Sequence, residues 1–326
     1  MDNVKFISPF ASRLEVFIKS KRAEGLRYGI ESKYLKNFDR WCVDHHVTEA
    51  SLTQDIAEGW CTKRLEEKSK THSNRQSILR QFALFLIQGG EPAYGVPLGL
   101  SCPFQNYTPY IFSESEIAAL FEAADTMRAN GYSPYMHEIM PMALRILYCC
   151  GLRTSELQNL KRIDVDLNKG VLAIINSKNA KDRLVPMSDD LTARLHIYCE
   201  RMECLCPETE FLFPNRNGNR LGEVVIYRQF RKLLQRIGIP HYGRGKGPRV
   251  HDARHTFAVD SMRKMQKDGM DLYTALPILS AYLGHASIAA TEKYVRMTPR
   301  DYPDITEQLR AAYGEIILPA RTGAAQ

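Results

Sequence analysis

The sequence lacks the features that place a protein in a membrane or send it across one. Its 326 residues contain no apolar run of about 18 or more, the minimum for a membrane-spanning helix. Residues 1–11 contain no basic segment followed by an apolar one, as a secretory signal would. We therefore expect a cytoplasmic protein without a membrane span.

Recognisable patterns for disulfides, metals and nucleotides are also missing. The chain has eight cysteines, and without a secretion signal free thiols are the expected state. The cluster of Cys199, Cys204 and Cys206 matches no common zinc spacing, so we predict no metal site there. The glycine-rich segment 243–247 follows no predicted strand and opens no helix, unlike a nucleotide-binding phosphate loop. We therefore predict no cofactor.

What is present is typical of a globular protein of two domains. The composition is 44% apolar and 25% charged, and the length favours two domains. Residues 91–110 contain four prolines and no helical period, which predicts a linker and a boundary between domains 1–106 and 107–326. The net charge of +7 permits a polyanionic partner without demanding one.

Hydrophobic periodicity predicts a mainly α-helical fold with a small antiparallel β-sheet. Domain 1–106 is predicted to be all helical, with its third helix over residues 53–67. In domain 107–326, two predicted strands, 171–175 and 183–187, flank the turn 176–182. Helices are predicted on both sides of this hairpin, and those after it include 223–237, 252–267 and 272–283.

Basic residues follow the last two predicted helices of the first domain. Such a basic face is either simply solvated or contacts the phosphates of DNA, and our hypothesis is that it contacts DNA. The residues are Lys63, Arg64, Lys68, Lys70, Arg75 and Arg80, to which we add Arg244 and Lys246 of the glycine-rich segment.

Four places in the second domain hold polar groups that a plain core would not need. Arg153 stands between two predicted helices in Gly-Leu-Arg-Thr-Ser-Glu-Leu, and Lys178 stands at the tip of the predicted turn. The segment 251–255 reads His-Asp-Ala-Arg-His at a helix start. His285 follows Leu-Gly, and Tyr294 comes nine residues later.

Together these residues resemble the tyrosine recombinase (phage integrase) family. That family has Arg, Lys, His-x-x-Arg, Gly-His and Tyr in this chain order, and the resemblance covers residues 108–300. The lysine turn departs from the usual Gly-Lys-Gly, since it reads Ser-Lys-Asn around Lys178. Lys181 is therefore a rival for the role of that lysine.

The resemblance implies that Tyr294 attacks a DNA phosphodiester and forms a covalent 3′-phosphotyrosine. Planar guanidinium groups match two phosphate oxygens at once, which suits a clamp that stabilises the transition state. By resemblance, Arg153, Arg254 and His285 form this clamp, His251 accepts the phenol proton, Lys178 protonates the leaving oxygen, and Glu156 and His255 orient their neighbours.

The resemblance also implies the partners and the overall reaction. The first domain resembles the core-binding, SAM-like DNA-binding domain of the family. We expect double-stranded DNA, four identical protomers on two DNA sites, and accessory recombinases as partners, with association with the nucleoid. The predicted amphipathic helix over 301–317 would dock on a neighbouring protomer. The reaction would be integration and excision, or transposition, of a mobile element.

Several alternatives remain open from the sequence. Taken singly, Arg153 is an ordinary ion-pair partner for Glu156, and His251 with His255 could hold zinc on one helix face. A type IB-like topoisomerase uses the same attack without exchanging partners. A non-catalytic DNA-binding relative would keep the fold but not the full set of polar residues.

Overall fold

A computed structural model of the chain describes residues 5–26, 28–97, 108–129, 131, 133–175, 182–240, 243, 247–285, 287–288, 290–291 and 294. It is mostly helical with one small antiparallel sheet, which confirms the predicted fold class. The chain divides into two compact units, 1–107 and 108–326. Within the described ranges, no helix is both long and apolar enough to cross a membrane.

The described residues of the first unit form a cluster of four helices around an aromatic core. The helices are α1 (Ala11–Ala23), α2 (Gly29–Asp44), α3 (Gln54–Cys61) and α4 (Ser69–Gln88). Phe10, Phe17, Phe38 and Phe82 are fully buried, and their neighbouring ring centroids lie 5.5–6.4 Å apart. Such tilted and edge-to-face pairs are the preferred aromatic geometry, so these rings hold the helices together.

Helix α3 ends six residues earlier than predicted, and residues 62–68 form a loop instead. Arg75 of α4 holds this loop in place. Its guanidinium donates to Glu67 through Nε–Oε1 and Nη2–Oε2, both at 2.7 Å. It also donates to the carbonyl of Thr62 at 3.0 Å and to that of Trp60. The loop needs these bonds because it has no helical bonds of its own.

The expectation that Arg75 belongs to a phosphate-contacting surface is wrong, because its side chain is only 3% exposed. Its donors are directed at the protein interior rather than at solvent. The other basic residues of the first unit are accessible. Lys63, Arg64, Lys68 and Lys70 are exposed and Arg80 is partly buried.

The described part of the second unit contains seven helices, with α6 at the centre. They are α5 (Glu114–Asp125), α6 (Met136–Cys149), α7 (Thr154–Asn159), α8 (Asp189–Leu205), α9 (Glu223–Arg236), α10 (Asp252–Lys267) and α11 (Leu272–Leu283). Helix α6 is apolar on most of its surface and contacts α5, α8 and α10. A helix that is apolar on several faces is buried, and α6 therefore forms the centre of this unit.

The sheet has three strands in the order β1 (Val165–Asp166), β2 (Val171–Ile174) and β3 (Arg183–Pro186). The hairpin β2–β3 was predicted, whereas the two-residue strand β1 was not. Strand β3 pairs with β2 so that Ile174 faces Arg183 and Leu172 faces Val185. Lys178 and Lys181, in the predicted turn between these strands, lie outside the described residues, as do Arg244 and Lys246.

We predict that Arg75→Met lowers the free energy of unfolding of the first unit by about 3–5 kcal/mol, the usual cost of leaving a buried charge unpaired. Glu67 is the charge left behind, since its side chain is only 6% exposed. Urea unfolding followed by tryptophan fluorescence measures this unit alone, because both tryptophans, Trp41 and Trp60, lie in it.

Lys63→Met is the control, since Lys63 is an exposed residue of the same loop. It should change the urea midpoint little. A double variant, Arg75→Met with Glu67→Met, should recover part of the loss because no buried charge remains. An unchanged midpoint for Arg75→Met alone would contradict this account of the loop.

Candidate active site

Glu156 lies at the centre of the predicted site. The chain leaves α6, turns at Gly151, and begins α7 with Arg153 as the residue before the first turn. The Glu156 carboxylate accepts the backbone N–H of Arg153 at 2.9 Å and its Nη1 at 2.7 Å. This capping arrangement begins the helix and fixes the direction of the Arg153 side chain.

The Glu156 carboxylate is ionised although its side chain is only 3% exposed. Burial would raise its pKa, but hydrogen bonds from Arg183 and from the Arg153 backbone, with the charges of both arginines, lower the pKa to about 2. Arg254 adds a third guanidinium at 3.8 Å. A buried carboxylate is stable only with such partners.

The C-terminal end of α11 joins three distant arginines. Nε of Arg183 donates to the carbonyl of Tyr282 at 2.9 Å, and Nη2 of Arg254 donates to that of Leu283 at 2.6 Å. Nη2 of Arg153 donates to the carbonyl of Gly284 at 2.9 Å. The last carbonyls of a helix have no partners within it and form the negative end of its dipole. Three guanidinium groups therefore stabilise this end and are positioned by it.

Two glycines make this close approach possible. Gly284 has φ 65°, in the left-handed region that glycine favours, and an added Cβ would lie 3.0 Å from Nη1 of Arg183. Gly151 has φ 57°, and a Cβ there would lie 2.5 Å from the ring of Phe257. The Gly of Gly-Leu-Arg and the Gly of Gly-His are thus required by packing around the arginines.

Arg254 is fully buried, and its Nη1 donates to the carbonyl of Gly151 at 2.6 Å. Burial and the nearby charge of Arg153 lower its pKa to about 10. It therefore remains a cation near pH 7. A guanidinium has five N–H donors, and two backbone carbonyls engage only part of them.

Tyr294 is buried, and its hydroxyl lies 3.1 Å from Nδ1 of His255. Burial raises the pKa of the phenol, while the charge of Arg254, a hydrogen bond from it, and the charge of Arg153 act in the opposite direction. The ring of His285 stacks against the phenol with centroids 6.1 Å apart, and His285 is held at Nδ1 by Thr291 at 2.7 Å.

All three histidines of the site favour the neutral form. Burial and neighbouring cations lower the pKa of His255 to about 3 and the pKa of His285 to about 4. His251 is exposed, yet its packed surroundings and the charges of Arg254 and Arg153 lower its pKa to about 4. A neutral imidazole has one unprotonated ring nitrogen, which can accept a hydrogen bond.

The structure brings most of the predicted site residues together. Arg153, Glu156, Arg254, His255, His285 and Tyr294 form one connected set of contacts, and the ring of His251 lies 4.7 Å from that of His255. The hydroxyl of Tyr294 contacts His255, to which the sequence analysis gave an orienting role, rather than His251.

Sequence reasoning missed Arg183. Its side chain is 9% exposed and forms a two-bond pair with Glu156. A signal was present in the sequence, because strand side chains alternate between faces and Arg183 shares a face with the buried Val185. A charged residue on the inward face of a strand indicates a buried partner of opposite charge.

In the described part of the chain, no three side chains of His, Cys, Asp or Glu are grouped so that they could hold a metal ion. Cys199, Cys204 and Cys206, the cluster considered above, are free thiols.

Comparison with known proteins gives consistent matches over most of the chain. The model of the phage integrase family matches residues 111–300, which is more than half of the sequence. A putative integrase/recombinase, y4rB, of Sinorhizobium fredii is 29% identical over 302 residues, covering 90% of this chain and 94% of that protein. Tyrosine recombinase XerD of Pseudomonas putida is 27% identical, covering 80% of this chain and 83% of its own.

Solved structures share the fold at lower identity. The Tn1549 transposon integrase, in complex with transposon right end DNA, aligns with a TM-score of 0.64 and 17% identity, over 93% of this chain and 99% of that one. The XerH site-specific recombinase, bound to a palindromic difH substrate, aligns with a TM-score of 0.63 and 20% identity, over 92% and 82% of the two chains.

We predict that the second unit loses stability as the pH falls from 7 to 5. In the unfolded chain these histidines bind protons below their ordinary pKa of about 6.5, whereas the folded site resists protonation until about pH 4. The free energy of unfolding therefore declines through this window. Below about pH 4.5, protonation of Glu156 in the unfolded state adds a further loss.

Calorimetry of the full chain at several pH values measures this decline, and tryptophan fluorescence identifies the transition of the first unit. His255→Gln should reduce the slope between pH 7 and 5, since it removes one of the resisting groups. If the free energy of unfolding declined equally steeply in this variant and in the wild type, His255 would not be a source of the pH dependence.

Proposed function

This chain belongs to the phage integrase family, the tyrosine recombinases, and we propose that it is an enzyme that cleaves and rejoins DNA strands at specific sites through a covalent 3′-phosphotyrosine. The observation that carries this proposal is the position of the Tyr294 hydroxyl, 3.1 Å from His255 and beside the guanidinium groups of Arg254 and Arg153. A phenol used only for packing would not need these cations around it.

The arginines supply the charge that the reaction needs. Attack on a phosphodiester places extra negative charge on the non-bridging oxygens in the transition state. Arg153 and Arg254 are already fixed by Glu156 and by the end of α11, so they need no reorganisation to bind these oxygens. His285, held by Thr291, adds a further polar group beside the phenol.

The phenol must lose its proton to become a nucleophile. In the resting site, burial keeps the pKa of Tyr294 above its ordinary value, so the hydroxyl is protonated. We assign the proton acceptor to the pair of neutral histidines, His255 in direct contact and His251 beside it at the surface. Following the family resemblance, Lys178, with Lys181 as its rival, protonates the leaving DNA oxygen.

The reaction conserves bond energy. Attack by Tyr294 exchanges one phosphate ester for another, and a 5′-hydroxyl of a second strand reverses the step and completes the exchange. Integration and excision, or transposition, of a mobile element are the outcomes that we propose. The similarity to y4rB and to the Tn1549 integrase supports them.

Double-stranded DNA is the proposed substrate and partner. The related Tn1549 integrase and XerH were solved with DNA, and this chain carries a net charge of +7. In the first unit, the loop held by Arg75 exposes Lys63, Arg64 and Lys68, which we propose as phosphate contacts together with Lys70 and Arg80. We extend the proposal to four protomers on two DNA sites, accessory recombinases and action on the nucleoid in the cytoplasm.

We predict that Tyr294→Phe abolishes covalent attachment to DNA while DNA binding changes less than about threefold, because only the attacking oxygen is lost. Nicked duplexes covering the DNA that flanks its gene serve as substrates, and denaturing gels detect the covalent product. Tyr198→Phe is the matched control, since Tyr198 is a buried tyrosine whose hydroxyl contacts the carbonyl of Leu212.

Attachment that survives in Tyr294→Phe would remove this residue from the role of nucleophile. Relaxation of supercoiled DNA by the wild type without any specific site or strand exchange would instead indicate a type IB-like topoisomerase.

We predict that Arg153→Ala slows cleavage about 10²- to 10³-fold, as loss of one fixed donor to a transition-state charge does. The reason is that the clamp acts on charge that develops only during attack. Single-turnover cleavage rates at saturating DNA concentration measure the effect. Arg201→Ala is the control, because Arg201 pairs with Glu138 on an exposed surface. A loss confined to DNA affinity would contradict a role in the chemical step.

A further inference from the structure

We propose that Arg183 is a positioning residue for DNA cleavage, which acts by neutralising Glu156 and by fixing the end of α11. The proposal rests on the recombinase function proposed above. It concerns a residue outside the predicted set of Arg, Lys, His, Arg, His and Tyr, and it follows from the contacts of one guanidinium group.

The pair between Arg183 and Glu156 is two-pronged and buried. Nη1 lies 3.0 Å from Oε1 and Nη2 lies 2.9 Å from Oε2, and the two side chains are 9% and 3% exposed. Both carboxylate oxygens are therefore engaged by one guanidinium in the geometry that arginine alone can supply. Oε1 also accepts Nη1 of Arg153, so Arg183 sets the orientation of the carboxylate that orients Arg153.

The charges of the cluster explain why this partner matters. Arg153, Arg183 and Arg254 carry three positive charges and Glu156 carries one negative charge, so the cluster has a net charge of +2. Without Arg183 the same carboxylate would face only Arg153 at 2.7 Å and Arg254 at 3.8 Å, and the net charge would be +1. These two are the cations proposed to bind the phosphate. Arg183 thus leaves their charge available to the substrate.

The same side chain locates the end of α11. Its Nε donates to the carbonyl of Tyr282, next to the carbonyls of Leu283 and Gly284 that hold Arg254 and Arg153. Its guanidinium also packs against Gly284, the residue before His285. A shift of Arg183 therefore displaces the carbonyls that hold both proposed clamp residues.

Arg183→Lys tests the geometry, because lysine keeps the charge but cannot form two parallel bonds. We expect single-turnover cleavage to slow about 10- to 100-fold, the range observed when an outer partner of a metal ligand is removed. DNA affinity and thermal stability should stay close to wild type. The control is Arg145→Lys. Arg145 on α6 forms a two-bond pair with the partly exposed Asp125 on α5, and lysine would break this pair in the same way. The cleavage rate of this variant should remain unchanged.

Arg183→Met tests the charge argument when combined with Glu156→Gln. The single variant lowers the net charge of this four-residue cluster to +1. The double variant restores it to +2, because the carboxylate charge of Glu156 is also removed. Glutamine still accepts the hydrogen bond that begins α7. The double variant should therefore cleave faster than Arg183→Met alone. A merely structural role for Arg183 predicts instead that cleavage by the two variants falls in proportion to their loss of thermal stability.

The pH dependence of cleavage provides a second readout. With less positive charge nearby, the phenol of Tyr294 ionises less readily, so the rate profile of Arg183→Met should shift to higher pH. The double variant should shift it back. A structural defect would lower the rate equally at every pH.

The outcomes separate this proposal from the function on which it rests. A wild-type protein that forms no covalent product with DNA overturns both. A wild type that cleaves, together with Arg183→Lys that cleaves equally fast, overturns the role of Arg183 alone. A double variant slower than Arg183→Met also overturns it.

Discussion

The site depends on the convergence of three arginines on one helix end and one carboxylate. Arg153, Arg183 and Arg254 come from separate segments, yet they bind three consecutive carbonyls at the end of α11. Glu156 contacts the same three guanidinium groups. Like charges repel at this distance, and the cluster is stable only because the helix end and the carboxylate supply the compensating negative charge.

Burial of the guanidinium groups costs hydration free energy, and binding of the proposed phosphate substrate offsets part of that cost. Each guanidinium is removed from water, and the pKa of Arg254 is lowered to about 10 as a result. A phosphate that enters the site restores the missing negative charge at the place where water was lost. The same burial keeps the Tyr294 phenol and its neighbouring histidines neutral near pH 7. A site with this balance keeps the proposed nucleophile protonated and offers fixed cations to the proposed substrate.

Local patterns in the sequence were sufficient for most of the fold. Helices α9, α10 and α11 were predicted to within one residue, because the apolar periodicity of each lies within one short segment. The failures came from contacts between segments. Helix α3 was predicted to continue through residues 62–67, since nothing in that stretch indicates that Arg75 of the next helix would hold it as a loop.

The two arginines that sequence reasoning misjudged, Arg75 and Arg183, share one physical property. Each forms a two-bond pair with a buried glutamate, at Glu67 and Glu156 respectively, and each also donates to backbone carbonyls. In a sequence, the partners of such an arginine cannot be identified, because they lie at other positions in the chain. Arg153 and Arg254 were identified only because a known family orders them relative to a tyrosine. The role of an arginine therefore depends on what its five donors bind. Arg183 differs from Arg153 and Arg254 because its guanidinium donates to both oxygens of Glu156.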